Sequence, residues 1–418
     1  MSMTDAAVVP RRLTQIEADL ICARHERLWA SRPDGARAVF SWMDLSGLDL
    51  SGRTLSDADF TGAILAGTNL SKARLDNANL FGCDLQEANL VGASLRRADL
   101  RACCLRGADL SNADMFEADL REGMIAAVDK VKGLKVLEPV KRVGEAYGAI
   151  LAGANLERSR LSGVVAVRAD FTDAKLKDAK LVRANLRQAS MNGADLAGAD
   201  LSGADLSGAD LRDAVLSGAR VSSCKFDDAD MTGVLTDETV GADVAQLPYD
   251  EMLREHALWC ESEGARGAPS VFDDADLRRL GSIKGLNLTA LSARKAVFYG
   301  LDMEGVQLQG ARLEGADLRA CNLRRADLRG AKLMGARLAN ADLRDAQLGP
   351  LLISADRVMP CDLTGAVLKG ADLSRADLRR ALLTRADLTR ANFTGASMRH
   401  ADITEAQLRS ARGLETLF

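Results

Sequence analysis

The side chains able to do chemistry are either scarce or strictly periodic in this chain. The three histidines, His25, His256 and His400, lie far apart, and no HxxxH or HExxH pair sets two of them on one helix face. A metal site would need His and Cys to converge. Instead Cys83, Cys103, Cys224, Cys321 and Cys361, five of eight cysteines, share one slot of a short repeat. A buried cysteine in such a slot acts as a small hydrophobe. The many aspartates could suggest paired acid chemistry. They recur once per repeat, however, as a surface ladder does and an active site does not. No glycine-rich phosphate loop and no GxSxG elbow occurs. The expectation is a chain without a catalytic nucleophile–base pair, metal or cofactor.

The element that positions these residues has a period of five. Leu45, Leu50, Leu55, Phe60, Leu65 and so on to Leu120 mark the beat, with a small residue two places earlier (Ala58, Ala63, Ala73, Ala78) and Asp or Asn between. A helix turns about 100° per residue, so residues five apart would scatter around it. A plain strand has a period of two. Five residues suit a short extended segment followed by a turn. The small residue and the Leu then point to one face and the Asp to the other. Gly is frequent two places after the Leu (Gly62, Gly67, Gly82, Gly107), where a turn of positive φ favours it.

The run Ala194-Asp195-Leu196-Ala197-Gly198 to Leu211 resembles the unit of the pentapeptide-repeat proteins almost without error. The resemblance covers about two thirds or more of the chain. It implies an all-β solenoid, a right-handed quadrilateral β-helix with four repeats per coil of about 20 residues and coils stacked about 4.8 Å apart. Low aromatic content, 4%, fits a narrow core of Leu and Ala.

The beat keeps one phase from Leu45 to Leu120, shifts by a residue for Leu151 to Met231, and shifts again for Leu288 to Leu408, about 58 repeats in all. The phase breaks imply a helical N-terminal cap (1–40), a first β-helix (41–236) with a helical insertion (121–150), a linker and second helical cap (237–285), a second β-helix (286–412) and a C-terminal tail (413–418). Thr14-Gln15-Ile16-Glu17 reads as a capping box that opens a helix with an apolar stripe of Ile16, Leu20, Ile21 and Leu28. His25, Trp29, Gly35-Ala36-Arg37 and Phe40 recur as His256, Trp259, Gly264-Ala265-Arg266 and Phe272. His25/Trp29 and His256/Trp259 are therefore read as cap residues that cover the open end of each β-helix. In the insertion, Met124 to Val131 and Val140 to Tyr147 suggest two short helices. Its Met124, Lys130, Lys132, Lys135, Lys141, Arg142 and Tyr147 are candidate partner contacts, because protruding loops are contact elements in the family that the chain resembles. The stretch Gly349 to Pro360 loses the signature but keeps the phase, as irregular repeats or a small bulge would.

Charge separates the functional readings. The net charge is only −4. The first block sums to about −5 and the third to about +6. Arg319, Arg375, Arg379, Arg380 and Arg399 sit at outward turns of the third block. Arg379 and Arg399, one coil apart, are expected about 5 Å from each other with Arg319 three coils below on the same face. Each arginine could neutralise a neighbouring Asp, or together they could form a basic face for a partner. Nucleic acid is disfavoured, because stacking aromatics are nearly absent from the turns. An acidic middle and a basic far module could also drive head-to-tail self-association. The leading expectation is a non-catalytic protein-interaction scaffold. The alternative, from resemblance, is a DNA-mimicking regulator of DNA gyrase. No signal peptide or apolar run of spanning length is present, and the chain reads as cytoplasmic, with no membrane span.

Overall fold

The computed structural model describes residues 10–125, 140–243, 247–354 and 357–414. The chain forms two compact units, Met1–Asp237 and Glu238–Phe418. In both, each repeat contributes one parallel bridge to the next coil, as in Asp59–Asn79, Ile64–Asp84, Asn69–Asn89 and Arg74–Ser94. Partners are normally 20 residues apart, so four repeats make one coil. This is a repeat β-helix. Three backbone bonds join each repeat to the next coil: Leu65 N donates to Asp84 O (2.6 Å), Gly67 N to Gln86 O (2.8 Å) and Asp84 N to Ala63 O (3.0 Å). A fourth closes the turn, Ala63 N to Phe60 O at 2.8 Å.

The residue two places after each Leu adopts positive φ: +63° at Gly62, but also +55° at Asn77 and +56° at Arg97. Glycine is thus favoured there without being required. The ladder bonds on either side offset the cost of about 1–2 kcal/mol per non-glycine residue. The core is a column of fully buried Leu with Ala beside it, and Phe40 stacks on Phe60 with centroids 4.9 Å apart. The Ala slot tolerates a small donor because a carbonyl faces it. Cys83 Sγ donates to Phe60 O (2.9 Å), Cys103 Sγ to Leu80 O (2.8 Å) and Thr68 Oγ1 to Leu45 O (2.9 Å).

The two units begin alike. In the first, β1 (Arg11–Arg12) pairs parallel with β2 (Met43–Asp44), and α1 (Gln15–Trp29) lies between them in sequence. The capping box forms: Thr14 N donates to Glu17 Oε2 (2.8 Å) and Glu17 N to Thr14 Oγ1 (3.3 Å). Of the expected apolar stripe, only Ile21 packs against the core, while Ile16, Leu20 and Leu28 are exposed. Ala18, Cys22 and His25 are buried, whereas Ile16 and Leu20 are 74% and 62% exposed. Small side chains let the helix lie close to the first coil, and Asp19 and Glu26 reach Arg53 across the contact.

The insertion departs from expectation. Its described ends form an antiparallel ribbon, β3 (Gly123–Ile125) with β4 (Val140–Arg142), where two helices were expected. β-Branched Ile125 and Val140 suit an extended pair. Repeats resume before residue 150, since Cys104 pairs with Glu145, 41 residues on. Gly144 and Ala146 hide that repeat by replacing the Ala and Leu of the signature. A Cβ on Gly144 would lie 2.3 Å from the Leu120 carbonyl oxygen, which explains the glycine.

In the second unit, β5 (Ala242–Asp243) pairs parallel with β6 (Ala275–Asp276), with α2 (Tyr249–Glu261) between them in sequence. The irregular stretch from Gly349 is a hairpin, β7 (Leu351–Ser354) with β8 (Arg357–Met359). It folds back over Gly330, where a Cβ would meet Leu351 at 2.8 Å. Bridges across it join residues 30 apart, as in Gln347–Asp377. The added length is two repeats, so the phase of five is unchanged while the coil gains half a turn of sequence.

Candidate interaction surfaces

Each regular Asp holds its own turn. Asp200 Oδ1 accepts from Ser202 N (3.1 Å) and Ser202 Oγ (2.6 Å), and these bonds keep its carboxyl below the usual range. Where the residue after the Leu is Arg, the guanidinium folds onto the same carboxylate. Arg212 Nε and Nη2 donate to Asp210 at 2.8 and 2.6 Å, and Arg379 Nε and Nη2 to Asp377 at 2.9 and 2.7 Å. The paired Arg lowers the pKa of Asp210 and Asp377. Asp99–Arg101, Asp119–Arg121, Asp276–Arg278, Asp327–Arg329 and Asp342–Arg344 repeat the arrangement.

The expected basic face of the second unit is therefore largely neutralised. Arg319 is only 8% exposed and bidentate on Asp317, with Nε–Oδ1 2.8 Å and Nη2–Oδ2 2.5 Å. Arg375 reaches across a coil boundary to Asp345 at 2.7 Å. Arg380 and Arg399 are exposed and make no side-chain hydrogen bond or ion pair among the described residues. Arg399 follows Ser397, which offers no carboxylate, and Arg380 stands at the positive-φ turn (+55°), beyond reach of its own Asp.

Arg319 is also not below Arg379. Its column of bridges runs Asp317–Arg337–Val367–Asp387, whereas that of Arg379 runs Asp327–Gln347–Asp377–Ser397. The ten-residue hairpin is looped out between Gln347 and Asp377, so Gly349 lies directly beneath Arg379 and Arg329 two coils below it.

Of the insertion candidates, Lys130, Lys132 and Lys135 lie outside the described residues. Met124 is exposed on β3, Arg142 is exposed on β4, and Lys141 pairs with Met124 in backbone register. Tyr147 stands at the turn of a resumed repeat, not in the ribbon, and its hydroxyl lies 3.3 Å from Arg168.

The paired His/Trp motifs divide in role. His25 is buried: Ala38 N donates to Nδ1 (3.0 Å), so Nε2 carries the proton and donates to Ser56 O (2.9 Å). Trp29 Nε1 donates to the same carbonyl at 3.1 Å, and the residue is 47% exposed. His256 accepts from Ser270 N (2.9 Å), but its Nε2 has no partner among the described residues. Trp259 comes one residue sooner after its histidine and tilts against that ring, centroids 5.9 Å apart. Burial lowers the pKa of both histidines.

A surface not singled out from sequence lies on the first unit. One column runs Val39, Asp59, Asn79, Asp99, Asp119, Arg160, Lys180. Over its upper half lies an open groove of about 840 Å³ lined by Arg97, Asp99, Arg101, Glu117, Asp119, Arg121, Arg158, Arg160, Asp178 and Lys180. Arg96 and Arg158 flank the Phe116 ring at 4.6 and 5.5 Å, and Arg101 stacks on Phe81 at 5.4 Å. The sequence signal was available: Arg160 and Lys180 occupy the slot in which Asp is the rule.

Among the described residues no group of His, Cys, Asp and Glu is placed to hold a metal ion, and no helix is long and apolar enough to cross a membrane.

Comparison with known proteins points to one family. No curated protein matches the chain. The solved structures that it resembles include a pentapeptide repeat protein from the Arabidopsis thaliana thylakoid lumen (27% identity, 28% of this chain and 74% of that one, TM-score 0.21). HetL, a pentapeptide repeat protein involved in heterocyst differentiation regulation in the cyanobacterium Nostoc, is 24% identical over 93% of this chain and 94% of its own, TM-score 0.16. Full-length QnrB1, a plasmid-mediated fluoroquinolone resistance protein, is 21% identical over 53% and 88%, TM-score 0.20. With such low TM-scores these likenesses carry no functional argument. The family model for pentapeptide repeats matches residues 36–71, 44–80, 55–90, 78–121, 149–188, 169–208, 194–233, 284–319, 311–349, 361–399 and 376–412. These matches span more than half of the chain, and the protein belongs to the pentapeptide repeat family.

Proposed function

We propose that this protein is a non-catalytic scaffold that presents the surface of its repeats to a protein partner. In this reading the coils are right-handed and quadrilateral. Helices α1 and α2, through His25/Trp29 and His256/Trp259, close the N-terminal ends of two tandem modules, 41–236 and 286–412. The chain works in the cytoplasm, where its eight unpaired cysteines stay reduced.

The observation that carries the reading is the use of the polar groups. The periodic aspartates hydrogen-bond to their own turns and to the arginines beside them, as at Asp200 and Asp377. They act as structure, which leaves little for acid–base chemistry. Exposed side chains without such a role remain for recognition, among them Met124 and Arg142 of the ribbon and Arg380 and Arg399 of the second unit. The mixed charge of the groove disfavours nucleic acid, and the cations Arg160, Lys180 and Arg220, in a column whose other members are Val39, Asn79 and four aspartates, disfavour a gyrase-directed DNA mimic.

Cross-linked affinity capture from native cytoplasm tests the scaffold reading. A variant lacking residues 122–142 serves as comparison, because that deletion restores the five-residue beat. Saturable capture of a protein that excess unlabelled chain competes away supports the scaffold. Absence of any such protein, or protection of DNA gyrase in a supercoiling assay, overturns it.

A further inference from the structure

We propose that the face of the first unit running from Val39 to Lys180 binds an extended acidic segment of a protein partner, with an apolar side chain of that segment seated on Trp42. The inference rests on the scaffold reading and names the site and its chemistry.

The face is continuous. Bridges stack Val39, Asp59, Asn79, Asp99, Asp119, Arg160 and Lys180 in one column, six coil steps or about 29 Å. An extended peptide of about nine residues spans that length.

Its first end is apolar. Val39 and Trp42 are each about half exposed, and at the preceding turn Leu28 and Trp29 border a hollow lined also by His25, Arg37 and Asp57. Trp42 is held at φ +61°, a conformation that bulky residues rarely adopt. Its ring lies over Gly62, where a Cβ would come within 2.5 Å. A strained, exposed tryptophan laid flat on glycine is a poor device for stability. Trp and Arg are the residues that most often dominate protein interfaces.

Further along, the face is cationic over two coils, before the column returns to an acid at Asp200. Arg160 and Lys180 replace Asp on successive coils, about 5 Å apart, where like charges repel. Lys180, and Arg97 at a turn of positive φ, make no ion pair or side-chain hydrogen bond among the described residues. Arg160 comes no nearer than 3.8 Å to Asp119. Carboxylates of a ligand would meet these cations and relieve the repulsion. Asp99, Glu117, Asp119 and Asp178 in the same groove oppose a continuous phosphate backbone, while a polypeptide can space its acids between them.

Fluorescence anisotropy on the full chain tests this with four labelled probes: a peptide of about nine residues alternating Glu with Leu and Phe, its Lys counterpart, an all-Glu peptide, and single-stranded DNA. The acidic apolar peptide is expected to bind at least about tenfold tighter than the others. Arg97→Glu with Lys180→Glu weakens it about tenfold, and Trp42→Gly abolishes its advantage over the all-Glu peptide. Glycine accepts the turn conformation, so this variant folds. Arg380→Glu with Arg399→Glu changes nothing. Equal binding of the Lys peptide, tighter binding of DNA, or indifference to both face variants overturns the proposal. If binding is lost only in the Arg380/Arg399 variant, the face is wrong and the scaffold reading stands. If no probe binds while partner capture succeeds, the acidic-segment chemistry is wrong and the scaffold reading stands.

Discussion

The arginine-rich columns of the second unit and the column face of the first use cations differently. In the second unit, Arg319, Arg329, Arg344 and Arg379 each follow an Asp by two residues and bind it. In the first, Arg101 and Arg121 do the same, but Arg160 and Lys180 occupy the slot of the Asp itself, and Arg97 lies at the outer turn. Counting charges makes the second unit look basic, yet many of its cations are already satisfied. Position within the five-residue repeat, more than the number of arginines, decides which charges a partner can reach.

The strongest test of this contrast is Asp317→Ala. It leaves the nearly buried Arg319 without its carboxylate and should cost about 3 kcal/mol, read as a lower urea midpoint for the second unit. The same change at the exposed Asp377–Arg379 pair should cost less than about 1 kcal/mol. Equal losses would erase the distinction between buried and exposed self-pairs.

Acid should act in two stages. His25 and His256 have lowered pKa values, so below about pH 6.5 the unfolded chain takes up protons that the buried rings refuse, and stability declines. The carboxylates of Asp200, Asp210 and Asp377 are also held low. Their contribution is present above about pH 4 and is lost as pH falls through the lowered values. A thermal midpoint that stays constant from pH 7 to pH 5 would remove the histidine stage.

Ser397→Asp supplies the carboxylate that Arg399 lacks and should add about 0.5 kcal/mol, with a depressed pKa for the new group by NMR. An unshifted pKa would show that the spacing alone does not create the pair. The smallest effect is expected for Arg380→Glu with Arg399→Glu. The unfolding midpoint should move by no more than about 0.5 kcal/mol, because neither side chain has a partner among the described residues.

Much of this was legible before the coordinates. The five-residue beat named the buried Leu and Ala positions, and the capping box marked the start of α1. Other features were hidden for definite reasons. Gly144 and Ala146 carry a repeat without its signature. The β7–β8 hairpin adds ten residues, two full repeats, and so leaves no trace in the phase. The helical stripe misled because α1 packs through Ala18 and Cys22, which read as weakly apolar, and leaves Ile16 and Leu20 outside.

By itself the sequence determined which residues of each repeat point inward and where the beat pauses. Both follow from local geometry, since an extended step and a turn fix the direction of each side chain within five residues. It did not determine which repeats share a face. That depends on the total chain length between coils, and a looped-out hairpin of ten residues shifts the numbering of every later column by half a coil. Nor did it show which cations are satisfied, because a guanidinium reaches its carboxylate through turn geometry that only the stacked coils hold in place. The tertiary structure decided both, and with them where a partner could bind.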